Sequence, residues 1–200
     1  MSHRHSRSSA CSSASRFRGR RECSDWDARS AVGILAASAL SLLLLLVFPA
    51  FAAATGTRLG LDSRWAWLLP GLFAQAGVAE EVLFRGYLFR RVRDGRPFWR
   101  AVVLASAPFV AVHLVLFFTM SWPVALAAVL LSAVLSAPLA YLFELGGDTV
   151  WAPALVHFVI QGAIKVVTPA GSAPVLPLVW MAATAVLPYL VFLVPRRTRR

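Results

Sequence analysis

The sequence predicts an all-α protein, a polytopic bundle of about six transmembrane helices. Of its 200 residues 58% are apolar and only 14% charged, well below the roughly one-quarter charged content of a soluble domain. The mean hydropathy is +0.69. The apolar residues also gather into runs of membrane-spanning length separated by short polar connections. A span needs ~20 mostly apolar residues to cross the ~30 Å hydrocarbon layer, so a chain of this size holds at most about seven or eight spans. That leaves room for one bundle and no second domain.

The elements follow in order. Residues 1–29 are rich in Ser and Arg with almost no aliphatic side chains, and they bury too little surface to offset the entropy of ordering, so they read as a disordered basic cytosolic tail. Cys11 and Cys23 both lie in it. A reducing compartment gives them no disulfide, and without a CxxC partner they make no metal site with His3 or His5. The first apolar run, Ala31 to Ala54, ends in an Ala-rich stretch resembling a signal-peptide cleavage site. It is too long for a typical h-region and reads as an uncleaved first span. Five runs follow: Trp65 to Phe89, Trp99 to Phe118, Trp122 to Phe143, Val150 to Val167 and Pro174 to Val194. Residues 30–195 thus form the membrane domain, and 196–200 a second basic cytosolic tail.

The net charge of +11 would suggest nucleic acid in a soluble protein. Here the arginines cluster beside the apolar runs, in the N-terminal tail, from Arg90 to Arg100 and from Arg196 to Arg200, so they read as topology signals and no nucleic-acid partner is expected. They place both termini in the cytosol and make this a multi-pass cell-membrane protein whose surroundings are lipid. The loop Glu144 to Asp148 is acidic although it should lie inside, but acidic residues count little in this rule. Lys165, the sole lysine, carries no functional reading. Pro108 and Pro153 precede His113 and His157 by about one turn and predict local unwinding there.

Four ionisable residues stand where lipid should forbid them: Glu80 and Glu81 in the second run, His113 in the third and His157 in the fifth. A charge at the bilayer centre costs roughly 2.5–3.5 kcal/mol, so such residues usually face the protein interior and serve a purpose. Glu81 and Arg85 are i and i+4, the favourable order for an intrahelical ion pair, which makes them structural support. Glu80 points about 100° away and lacks a local partner, which suits a general base. His157 and Gln161 share a face one turn apart, a pair of donors fit for an oxyanion. His113 either orients the attacking water with Glu80 or joins Glu80 and His157 as a zinc ligand; two His and one Glu with an open fourth position are a catalytic zinc arrangement. Helical rise puts Glu80 ~15 Å, His157 ~10 Å and His113 ~22 Å from the cytosolic boundary, so a kink or a water-filled cleft is needed to bring them together.

The run Glu80-Glu81-Val82-Leu83-Phe84-Arg85-Gly86 resembles the EExxxR motif of the CAAX-processing and bacteriocin-processing (CPBP, or Abi) intramembrane proteases. Phe109 to His113 is similar to the family's FxxxH, and His157 to Gln161 to its HxxxN, with Gln in the last place. The resemblance implies a helical bundle with a cavity and peptide-bond hydrolysis in a membrane-embedded or lipidated substrate, such as a prenyl-type tail, a leader or a C-terminal sorting segment. It implies Glu80 as the water-activating carboxylate assisted by His113, and His157 with Gln161 at the oxyanion. Proteins of this kind are described both as metalloproteases and as metal-free glutamate proteases. Gln161 tips the reading toward the metal-free form, because a carboxamide is a poor zinc ligand and a good donor.

Two other functions compete with the protease: a non-catalytic membrane scaffold or bacteriocin-immunity protein of the same fold, and a proton-coupled transporter. The transporter lacks an inverted repeat. The arginine bias makes a first testable statement: cysteines introduced beside Arg93 or Thr198 should react with a membrane-impermeant reagent only after the membrane is opened.

Overall fold

The computed structural model describes residues 18–196, with side chains from residue 29 onward. Cys11, His3, His5 and the last four residues, together with the side chain of Cys23, therefore lie outside what is described. Six helical rods account for the six apolar runs. The first comprises α1 (Arg18–Leu45) and α2 (Val47–Thr55). The second runs from α3 (Trp65–Leu72) through two π-helical stretches, Phe73–Ala79 and Val82–Phe89, to α4 (Arg90–Arg93). Then come α5 (Phe98–His113) with a 3₁₀ extension to Phe118, α6 (Trp122–Leu145), α7 (Trp151–Val166) and α8 (Leu176–Val186) with a 3₁₀ extension to Leu193. Among the described residues, four helices are long and apolar enough to cross a membrane, Arg29–Thr55, Phe98–Phe118, Trp122–Leu145 and Leu176–Leu193, and Trp151–Val166 is a shorter apolar helix. The chain is an all-α membrane bundle.

Helix α1 reaches back to Arg18, into the segment expected to be an unstructured tail. Once an apolar helix exists, adding residues costs no new nucleation, and Arg, Glu and Ala propagate it well. The proline expectation also changes. Both α5 and α7 run unbroken through Pro108 and Pro153; Pro153 sits in the first turn of α7, where no intrahelical donor is needed. The distortion lies instead in the second rod. Pro70 removes a donor there, and from Phe73 the ladder widens to i→i+5, as in the bond from the Glu80 N–H to the Gln75 carbonyl.

The rods pack around α6, whose last two turns and a half, Leu135 to Phe143, are buried without interruption. Helix α7 lies against α1, α6 and the second rod. Many large apolar side chains face outward, among them Phe118, Trp67 and Leu193, as lipid requires. At one end, a two-stranded antiparallel ribbon, β1 (Leu59–Leu61) on β2 (Val167–Pro169), ties the connection before the second rod to the one after α7, with Leu59 opposite Pro169 and Leu61 opposite Val167. At the other end, Glu144 of α6 accepts from Arg93 Nε at 2.6 Å and from Arg196. The Arg196 guanidinium also lies over the Phe98 and Tyr141 rings, 4.1 Å from each centroid. The acidic residue that broke the charge pattern is thus the counter-ion of two of the arginines that made it.

Small residues let the rods close. A Cβ built on Gly33 of α1 would stand 2.3 Å from Gly146 Cα and 2.7 Å from its nitrogen, both backbone atoms that cannot swing aside. Gly33→Ala should therefore separate α1 from the end of α6 and lower stability by about 1–3 kcal/mol, the usual cost of overpacking. Thermal unfolding in detergent would show it as a lower Tm.

Candidate active site

Glu80 and Glu81 stand between the two π-helical stretches. A wide turn holds more residues and so rotates less per residue, which lets neighbouring side chains aim at the same partner; π-bulges recur at functional sites. Both glutamates meet His157. Its Nδ1 is 2.7 Å from Glu81 Oε1, and its Nε2 is 3.8 Å from Glu80 Oε2. Arg85 NH1 donates to the same Glu81 Oε1 at 2.6 Å, so the expected i, i+4 ion pair is present and has a third member. Glu81 is 0% exposed, His157 2% and Arg85 3%.

An ionised Glu81 paired with Arg85 only accepts hydrogen bonds. His157 Nδ1 therefore carries the hydrogen in that contact, and Nε2 is the nitrogen turned toward Glu80. The Nε2 to Glu80 separation exceeds hydrogen-bond length. Glu80 Oε2 is buried with no hydrogen-bond partner among the described residues, although the side chain as a whole is 24% exposed. One carboxylate is locked and the other is left poised. Sequence spacing separated the two tasks, but it did not reveal that one histidine joins them.

Phe109 fills the centre. Its ring lies 4.4 Å beneath the Arg85 guanidinium, 4.6 Å from the Phe84 ring, 4.9 Å from His113 and 6.4 Å from His157. An arginine over an aromatic face is held by the ring quadrupole, more strongly where water is excluded. In the sequence Phe109 is only the first letter of a motif; its packing role depends on α5 crossing the second rod. A small cleft of about 10 Å³, the space of roughly one water molecule, lies beside Arg85, Phe84 and Phe109, with Ser106, Ser136 and Ala140 on its other walls.

His113 does not touch the glutamates directly. Its Nδ1 is 2.8 Å from the Phe109 carbonyl one turn back, which leaves Nε2 free, and it approaches the cluster through the Phe109 ring. Gln161 is half-buried on α7, one turn beyond His157, and makes no hydrogen bond within the described residues. Among these residues no three His, Cys, Asp or Glu side chains are grouped to hold a metal ion. His157 and His113 each have one ring nitrogen hydrogen-bonded, to Glu81 and to a backbone carbonyl, and the other open, as metal-ligating histidines also do.

The family model of the type II CAAX prenyl endopeptidases, Rce1-like, matches residues 62–163, about half of the chain and the part that holds every residue of this site. The chain belongs to that family. No curated protein and no solved structure matches it. As a member of the Rce1-like family it is a CAAX-type protease set in a membrane, and the second rod, α5 and α7, which carry the cluster, all fall within the matched region.

The Rce1-like site depends on how closely the second rod approaches α7, and Gly77 sets that distance. A Cβ there would meet Phe158 Cβ at 3.3 Å and the Ala154 carbonyl at 3.4 Å, one turn from His157. Gly77→Ala should keep the fold but push the glutamates outward by a few tenths of an ångström. Since a ~1 Å misplacement can cost about 10²-fold, turnover of a prenylated CAAX peptide should fall roughly tenfold while Tm changes little.

Proposed function

We propose that this protein hydrolyses a peptide bond in a membrane-tethered substrate, a prenylated C-terminal tail, by a carboxylate mechanism without metal. The observation that supports this best is the unpartnered Glu80 Oε2 set 3.8 Å from His157 Nε2, inside an otherwise neutralised buried cluster. An oxygen atom about 2.8 Å from each of those two atoms lies about 2 Å to one side of the line between them, so one water or one carbonyl oxygen can bridge both.

In this reading Glu80 takes a proton from the attacking water, helped by the free Nε2 of His113, and the water oxygen bonds to the scissile carbonyl carbon. The oxyanion that forms accepts from His157 Nε2–H, with both ring nitrogens protonated, and from the Gln161 carboxamide. Preorganised donors of this kind are worth about 10²–10³ in kcat each. The C–N bond then breaks as Glu80 returns its proton to the leaving amine. The arginine-rich end, where Arg93 and Arg196 share Glu144, is the cytosolic one, and both termini lie there.

The test is cleavage of a farnesylated CAAX peptide by purified protein in lipid vesicles. Glu80→Gln should abolish cleavage with Tm unchanged, His157→Ala and Gln161→Ala should lower kcat more than they raise KM, and treatment with chelator should leave the wild type active. Cleavage by Glu80→Gln at the wild-type rate would remove Glu80 from the catalytic role, and no cleavage by the wild type would return the protein to the scaffold class. Stoichiometric zinc, with activity lost on its removal, would replace the carboxylate mechanism by a metal one.

A further inference from the structure

Glu81 is the most completely buried ionisable group described, and neutralising Arg85 accounts for only part of its setting. Its Oε1 serves two donors, Arg85 NH1 at 2.6 Å and His157 Nδ1 at 2.7 Å, on two different rods. A carboxylate needed only for the arginine could have faced away from α7. A buried histidine needed only for packing could have bonded a carbonyl of its own helix, as His113 does.

We propose that Glu81 is a positioning residue: anchored by Arg85, it accepts from His157 Nδ1–H, fixes the rotation of the ring and supports its charged form, so that Nε2–H faces Glu80 and the reacting carbonyl. The inference rests on the hydrolytic role proposed for Glu80 and His157. The chain of contacts runs Phe109, Arg85, Glu81, His157, so an aromatic ring on α5 holds the cation that holds the carboxylate that holds the imidazole. Each link lowers the freedom of the next, and the ring at the end is 2% exposed. A carboxylate that fixes the tautomer of a catalytic histidine can be worth up to about 10⁴ in kcat without touching substrate. The second oxygen, Glu81 Oε2, is buried without a hydrogen-bond partner. The carboxylate is thus placed for what Oε1 reaches, at the expense of satisfying both its oxygens.

The obvious variant confounds two effects, because Glu81→Met strands the Arg85 cation and threatens folding. The double variant Glu81→Met/Arg85→Met removes both charges together, and apolar replacement of a whole buried pair is often neutral for stability. In lipid vesicles with a farnesylated CAAX peptide, the double variant should show a Tm near wild type, KM within about twofold, and kcat at least about 100-fold lower. Recovery of kcat to within about threefold of wild type would reduce Glu81 to a counter-ion and overturn the proposal.

A second readout does not depend on cleavage. With ¹⁵N-labelled histidine, assigned through His157→Ala, the His157 Nδ1–H resonance should carry the signature of a hydrogen bond to carboxylate in the wild type and in Glu80→Gln, and lose it in the double variant. An unchanged resonance would overturn the proposal as well. If Glu80→Gln still cleaves the peptide, it is the hydrolytic reading that fails, and the nitrogen spectrum still decides whether Glu81 holds the ring.

Discussion

A single buried carboxylate oxygen, Glu81 Oε1, accepts from Arg85 on its own rod and from His157 on α7, and the arrangement of the bundle's interior follows from keeping that contact. An isolated charge at this depth would cost several kcal/mol. Breaking a buried pair by removing one partner costs about 3–5 kcal/mol. These penalties are large against a total stability of about 5–15 kcal/mol. The second rod and α7 must therefore stay in register, and three features act to hold them: the small side of Gly77 against Phe158 and Ala154, the ribbon that joins Leu59–Leu61 to Val167–Pro169, and Phe109 beneath Arg85.

Local backbone geometry serves the same contact. On a regular helix Glu80 and Glu81 would diverge by about 100° and only one would face α7. The i→i+5 turns flank them, beginning beyond Pro70, while the two residues themselves keep α-helical backbone angles; Glu81 bonds the His157 imidazole and Glu80 stands 3.8 Å from it. The distortion weakens the regular ladder, a cost that a lipid-embedded helix bears only where neighbours compensate. The compensation is the packing of this rod between α5, α6 and α7. Glu80, the carboxylate left without a hydrogen bond on its buried oxygen, is the local expense of the arrangement, and such groups are kept where they are used.

Far from the site, a second carboxylate plays a similar part. Glu144 closes the arginine-rich end by joining Arg93 and Arg196, while Tyr141 donates to the Val194 carbonyl at 2.6 Å and shares the Arg196 guanidinium with Phe98. The charged groups lie half-buried at the rim rather than in the core, and exposed ion pairs are worth about 0–1 kcal/mol each. Their value is geometric. They pin the end of the second rod to α6 and to the C-terminal segment, so the rod is fixed at both ends with the glutamates between.

The sequence alone determined the membrane class, the positions of the six helical segments and which ionisable residues lie within them, because each is a local property. Hydropathy over ~20 residues marks a span, Glu81 and Arg85 pair through i, i+4 spacing, and glutamate or histidine inside an apolar run announces itself by its cost. The three motifs beginning at Glu80, Phe109 and His157 also pointed to the protease family that the match over residues 62–163 shows. What spacing could not give was which residues meet across helices. That His157 bonds Glu81 and faces Glu80 at a distance, that Phe109 underlies Arg85, and that the acidic residue at 144 answers two arginines all depend on crossing geometry and on close approaches at Gly77 and Gly33. The distortion expected beside Pro153 lies instead around the glutamates, because a proline in a first turn needs no donor, whereas Pro70 interrupts a helix already under way; after Pro108 the α-helix runs on to His113 and there tightens to a 3₁₀ helix. Periodicity fixes which face of a helix a residue occupies; only packing decides what that face meets.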